Sequence, residues 1–221
     1  TGSSTFNGDN SAGTSTNLYY PSSVIVDSIG NIYIGDSTRI RAIYAPIPPS
    51  PVPGAMPSNL PTFIPSVVPS LALSNPTSGP TIVPSAAPTL PFSSSHGSII
   101  TTIAGTNSGT YNGDNSAATS VNISGINGMW IDINGNIVFS ELFGNRIRMI
   151  NKINTIISPI AGTGFTTYNG DHSAATSINM QPQGVWGDSL NNIYYACLNS
   201  FRIRKIGRAT NILTTIIGTG V

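Results

Sequence analysis

Charge is what this sequence has least of. Of 221 residues only 8% are Asp, Glu, Lys or Arg, and the net charge is +1, against about a quarter charged in an average soluble domain. Such a balance gives no electrostatic footprint for nucleic acid or an anionic membrane. A single cysteine, Cys197, excludes an internal disulfide framework and a thiolate zinc cluster. The two histidines, His96 and His172, are few for metal or acid–base chemistry. No apolar run approaches the ~20 residues of a membrane-spanning helix. The chain opens at Thr1 with neither initiator methionine nor signal peptide, so it reads as processed or excised from something longer. Low charge with abundant Ser, Thr, Asn and Gly suggests an extracellular location, secreted or at a cell surface.

What the sequence does have is repetition. "FNGDNSAGTSTN" at 6–17 returns as "YNGDNSAATSVN" at 111–122 and "YNGDHSAATSIN" at 168–179. "SVIVDSIGNIYIGD" at 23–36 returns as "GMWIDINGNIVFSE" at 128–141 and "GVWGDSLNNIYYAC" at 184–197. Arg-Ile-Arg stands at 39–41, 146–148 and 202–204, and "TTIAGT" at 101–106 returns as "SPIAGT" at 158–163 and "TTIIGT" at 214–219. The first unit aligns with the others once residues 46–96 are set aside.

Each unit predicts four short strands. In the first, an inner strand at Val24–Asp27 precedes the turn dipeptide Gly30-Asn31 and a second strand at Ile32–Gly35. Arg-Ile-Arg marks a third strand and Thr-Thr-Ile-Ala-Gly a fourth, all β-branched or aromatic in character. Four antiparallel strands per unit of about 55 residues describe a propeller blade, so the fold class is all-β. Blade 1 occupies 1–45 with its last strand at 98–106, an insertion occupies 46–97, and blades 2 and 3 occupy 107–163 and 164–221. The Asn-Gly-Asp linker is long enough to cross from one blade's outer strand to the next blade's inner strand.

The combination "YNGD.SAATS.N", "G.W.D..GNI", "RIR.I" and "TTIAGTG" resembles NHL-repeat β-propellers over about 170 of the 221 residues. The resemblance implies a propeller but no single activity, since that family spans scaffolds, binding modules and a few enzymes. Its metal-dependent lyases need several histidines converging on the channel, which two cannot supply. No nucleophile–base arrangement is visible either. The expectation is a protein that is not an enzyme and holds no metal or cofactor.

All eight acids fall at repeated positions. Asp9, Asp114 and Asp171 belong to the Asn-Gly-Asp motif; Asp27, Asp132 and Asp188 end the inner strands; Asp36 and Glu141 end the second strands. Six of nine bases are the paired arginines Arg39, Arg41, Arg146, Arg148, Arg202 and Arg204. Residues repeated in every unit are read as builders of the blade, accepting loop amides or pairing acid with arginine between blades. The alternative is a ring of aspartates binding a cation in the channel. Cys197 replaces the second-strand acid and reads as a small buried residue, or else as an intermolecular disulfide partner. His172 reads as a surface substitution, and His96 has no partner by spacing. Trp130 and Trp186 share an inner-strand slot, which suits core packing or stacking on a sugar. Asn122-Ile123-Ser124 is a usable N-glycosylation sequon.

Three blades do not close a ring, since closed propellers have about four to eight. Register at the two ends predicts either a six-bladed ring completed by a second copy or one period of a longer polypeptide. The insertion holds fourteen of the seventeen prolines and no charge, which favours polyproline II, ~3.1 Å per residue. Pro57, Pro61, Pro65 and Pro69 and then Pro76, Pro80, Pro84 and Pro88 recur every fourth residue. The Ser or Thr after each, Ser58, Thr62, Ser66, Ser70, Thr77, Thr81, Ser85 and Thr89, are glycosylation candidates, as in the secreted cell-wall and mucin-like glycoproteins these tetrads resemble. Phe63, Ile64, Val67, Val68, Ile82 and Val83 are apolar beyond what a solvated linker carries and are candidates for docking on a neighbouring copy. The functional expectation is an extracellular structural glycoprotein that self-assembles into a filament, with other copies and attached glycans as partners. A ligand-binding propeller for a glycan or protein is the alternative, and a propeller lyase or hydrolase a weaker one.

Overall fold

Val, Ile and Tyr alternate with small polar residues on either side of Asn-bearing turns, and such runs settle as antiparallel hairpins with one face to be covered. The computed structural model describes residues 6–46 and 99–220, all within one compact unit. The proline tetrads, their Ser and Thr, the docking candidates from Phe63 to Val83 and His96 lie outside the described residues.

Three antiparallel sheets follow one another in sequence. The first comprises β1 (Ser11–Ala12), β2 (Pro21–Val26), β3 (Ile32–Asp36), β4 (Arg39–Ile43) and β5 (Ile99–Ala104). The second comprises β6 (Ser116–Ala117), β7 (Ile126–Ile131), β8 (Ile137–Glu141), β9 (Arg146–Ile150) and β10 (Ile156–Ala161). The third comprises β11 (Ser173–Ala174), β12 (Pro182–Gly187), β13 (Ile193–Cys197), β14 (Arg202–Ile206) and β15 (Ile212–Ile217). Each is hydrogen-bonded in the order first, fifth, fourth, third, second of its own strands. The described residues are thus all-β, in an arrangement consistent with a propeller-like fold.

The expectation of four strands per unit is corrected to five. The linker contributes an edge strand of its own: Ser11 and Ala12 pair with Ile100 and Ile99, and the two later units repeat the pairing. Ser-Ala has no strand propensity, so the signal lies in the residue before it. Asn10, Asn115 and His172 sit in the left-handed region, at φ 62°, 61° and 60°, where Asn and His are among the residues tolerated best. From that turn their amides donate to the carbonyls of Ile100, Ile157 and Leu213. His172 therefore replaces asparagine at a position chosen for backbone conformation.

The cores lie between sheets. Ile40 and Ala104 of the first sheet pack on Val121, Ile123, Ile126, Met129, Phe139 and Ile157 of the second. Val138, Ile147, Ile160 and Ala161 of the second pack on Ile178, Met180, Val185, Ile193, Tyr195 and Leu213 of the third. Each sheet thus has a forward face, turned to the next, and a backward face, turned to the one before. The inner strands β2, β7 and β12 lie side by side. Gly187 permits the closest approach: a Cβ there would lie 2.3 Å from the Trp130 ring.

Candidate functional site

Asn-Gly-Asp, the best-repeated motif, builds a clasp around a buried arginine. The asparagine closes its own loop: Asn112 Nδ2 donates to the Ser120 carbonyl at 3.0 Å, and its Oδ1 accepts from the Asn122 amide at 2.7 Å. Asn7 and Asn169 do the same in their units. The glycine takes φ of 100°, 109° and 114° at Gly8, Gly113 and Gly170, a conformation that excludes a side chain at little cost only for glycine. Its carbonyl then accepts from Arg41, Arg148 or Arg204. The aspartate completes the clasp, with Asp9, Asp114 and Asp171 at 2.8, 2.7 and 2.7 Å from Arg41, Arg148 and Arg204. All three arginine side chains are 0% exposed. Acid and base come from the same unit, so these pairs lie within a sheet and its linker and not between blades.

The other arginine of each Arg-Ile-Arg stacks on an aromatic that sequence reasoning did not single out. Arg39, Arg146 and Arg202 lie 3.8, 3.8 and 4.3 Å from the ring centres of Phe6, Tyr111 and Tyr168. The available signal was an aromatic three residues before the aspartate in all three units. Tyr111 and Tyr168 also donate their hydroxyls to Asp114 and Asp171.

A second acid serves the clasp in two units only. Asp36 lies 3.7 Å from Arg41, and Glu141 lies 3.4 Å from Arg148. Burial pushes both carboxyls above their ordinary values, against the pull of those arginines and of the Tyr19 and Ser124 amides. In the third unit Cys197 takes this place, 2% exposed within the core, its thiol directed at Asn199 Oδ1. The neighbouring Tyr195 hydroxyl and Arg204 Nε are buried without hydrogen-bond partners. Burial raises the Tyr195 phenol far above its usual range, with Arg204 opposing.

The inner-strand aspartates are turn builders. Asp132 accepts from the Asn134 and Asn136 amides and from Asn136 Nδ2, all at 2.8 Å. Asp27 and Asp188 repeat this and add the hydroxyls of Tyr33 and Tyr194. Asn31, Asn136 and Asn192 then use Oδ1 to accept the amides of Ala45, Lys152 and Arg208, tying each hairpin to the end of β4, β9 or β14. On Asp27 burial is the largest single influence and raises its carboxyl. The hydrogen bonds of Asn31, Ile29 and Tyr33 together outweigh it and leave the group below its usual range. The Asn192 side chain and backbone amides do the same for Asp188. A cavity of about 420 Å³ lies between the first two turns, lined by Val26, Asp27, Ile131, Asp132 and Lys152 among others. No group of three or more acids, histidines or cysteines is placed to hold a metal ion among the described residues.

Asn122 is a member of the clasp. Its Nδ2 donates to the Thr110 carbonyl at 2.5 Å and its Oδ1 accepts from Thr106, as Asn179 does with Thr167 and Thr163. The sequon asparagine thus has its side-chain amide already engaged.

The clearest break in the repeat is exposure at its ends. On the backward face Met129 and Val185 are 5% and 7% exposed, while their equivalent Val24 is 65% exposed. Ile126 is 4% exposed and Pro182 is buried, but Pro21 is exposed. On the forward face Ala104 and Ala161 are 0% exposed, and their equivalent Ile217 is 64% exposed. Trp130 is partly buried against the third sheet, whereas Trp186 is 63% exposed, 6.5 Å from Tyr194. Among the described residues, the first sheet has no sheet behind it and the third has none ahead.

No family model matches this chain, so the NHL resemblance rests on motifs, and no curated protein matches it. Among solved structures it is similar to the selenomethionine form of virginiamycin B lyase from Staphylococcus aureus, at 14% identity and TM-score 0.44, covering 90% of this chain and 41% of that one. A catalytically inactive variant of that lyase with quinupristin matches at 14% identity and TM-score 0.43, covering 90% and 42%. A streptogramin B lyase matches at 15% identity and TM-score 0.42, covering 89% and 40%. The chain spans about two fifths of the length of these structures. The expectation that the chain is not an enzyme is corrected: the solved structures that match are lyases, and at these identities and TM-scores they neither exclude nor assign an activity. Counting two histidines over a chain that spans so little of such proteins does not exclude catalysis.

No helix among the described residues is long and apolar enough to cross a membrane.

Proposed function

We propose that this chain is a building block of an extracellular filament or surface appendage, assembled from copies that stack sheet on sheet. In this reading the sheets are NHL-like blades, three to a chain, and a second copy completes a six-bladed ring or further copies continue the stack. The proline-rich insertion straps neighbours together, with glycans on its Ser and Thr. Asn122 is less suited to carry a sugar, because its amide holds the linker loop.

The observation that supports this most is the pair of open faces. Val24 and Ile217 lie at repeat positions that are buried wherever another sheet is present. Exposed apolar faces of this kind mark interaction sites, and the repeat itself supplies the matching surface. Negative-stain electron microscopy of native material tests the proposal: filaments with a regular axial repeat support it, and single particles the size of one chain refute it.

A second reading, a secreted or surface module that binds a glycan or protein, draws on Trp186. Its ring stands exposed beside Tyr194, an arrangement suited to stacking on a sugar face. Binding to a glycan array that is lost in Trp186→Ala, without polymers, favours this reading.

A further inference from the structure

We infer that the joint between copies differs from the joints inside the chain, and that Trp186 of one copy against Val26 of the next is the pair that makes it differ. This rests on the self-association proposed above. At the second joint the fifth residue of one inner strand, Trp130, lies on the sixth of the next, Gly187; at the first joint those positions hold Ile25 and Ile131, which pack about the first core. The tryptophan fits because its seat is vacant: a Cβ at Gly187 would come within 2.3 Å of the ring. The next pair in the series is Trp186 with the second copy's Val26. Val26 puts a branched side chain into the seat that glycine leaves open, so Trp186 cannot lie there as Trp130 does.

A second difference acts in the same direction. Across the third sheet Trp186, Tyr194 and Lys205 stand in register, where the second sheet has Trp130, Val138 and Met149. Val138 is 1% exposed in the core and Met149 packs against it. Lys205 instead sits over the Tyr194 ring at 5.6 Å, and its ammonium resists burial without a partner. The forward face offered to a second copy is therefore overfilled at its inner edge and more polar at its middle. Copies join more weakly than sheets within a chain do, so the assembly comes apart at this joint while each chain stays folded.

Two substitutions test this in the full-length protein. Val26→Gly recreates the seat of Gly187, and Trp186→Ile recreates the Ile25 arrangement. Both side chains are largely exposed, at 59% and 63%, so neither change empties a core. Sedimentation velocity over a concentration series reads the dissociation constant. Relief of overpacking lowers it about ten- to a hundredfold in either variant. Association of the native chain that Val26→Gly leaves within about twofold, or that Trp186→Ile weakens, overturns the inference but keeps self-association. A native chain and variants that all stay monomeric across the series overturn the self-association reading itself.

Discussion

Arg148→Ala is the substitution whose cost the structure fixes most closely. It leaves Asp114 and Glu141, with side chains 8% and 2% exposed, without their cation. It also orphans the carbonyls of Gly113 and Asn122. Removing one partner of a buried pair costs about 3–5 kcal/mol, a large share of the ~5–15 kcal/mol that holds a typical domain. At roughly 2–4 °C per kcal/mol for a chain of this size, the midpoint falls by about 6–20 °C. Arg204→Ala strands one carboxylate, 16% exposed, and costs less. The assay is urea unfolding followed by tryptophan fluorescence at several pH values. The stranded Glu141 carboxyl, already raised by burial, takes up a proton in the folded state more readily than in the unfolded one. The deficit of Arg148→Ala therefore shrinks as pH falls toward 4.5, the ordinary glutamate value. Adding Glu141→Gln to Arg148→Ala returns about 1–2 kcal/mol at neutral pH, since a neutral amide costs less to bury than a charge. Equal losses for the two arginines, with a deficit independent of pH, would refute the claim that stranded charge dominates.

Other outcomes follow from the same geometry. Gly187→Ala drives a methyl into the Trp130 ring and costs about 1–3 kcal/mol, readable as a lower urea midpoint at unchanged slope. In dilute monomer, acrylamide quenches Trp186 more strongly than Trp130, and single-tryptophan variants report which emission each gives. In the native protein, Asp36 and Glu141 have raised folded values, so their contribution is full below the unfolded values and is lost as pH rises through the folded ones. Asp27, Asp171 and Asp188 have lowered folded values, so theirs is present above 3.8 and is lost as pH falls through the folded ones. Thermal midpoints across a pH series should therefore peak at about pH 4 to 5, and a plateau through neutrality contradicts the assignment.

Four of the five strands in each sheet were legible in the sequence, because alternation and turn residues act locally. The fifth was not: Ser-Ala pairs with an outer strand brought to it by the fold, and in the first unit Ser11 and Ile100 are far apart in sequence. The arginine clasp was half legible. Repetition marked Asp114 and Arg148 as structural, but their partnership within one unit depends on the linker folding back over its own sheet. Three units that cannot close a ring announced open ends, but the residues that lie bare there carried no signal of their own. Val24, Met129 and Val185 are ordinary strand residues, and what separates them is only whether a sheet lies behind.

The short edge strands have a consequence for growth. Where β5, β10 and β15 would otherwise present a free edge, Ser11–Ala12, Ser116–Ala117 and Ser173–Ala174 pair with the first two residues of each. A strand of two residues is too brief a template for another chain. Lateral recruitment at the rim is thereby discouraged, while the large faces at either end stay bare. In the assembly proposed above, copies therefore add at the two end faces and not along the rim.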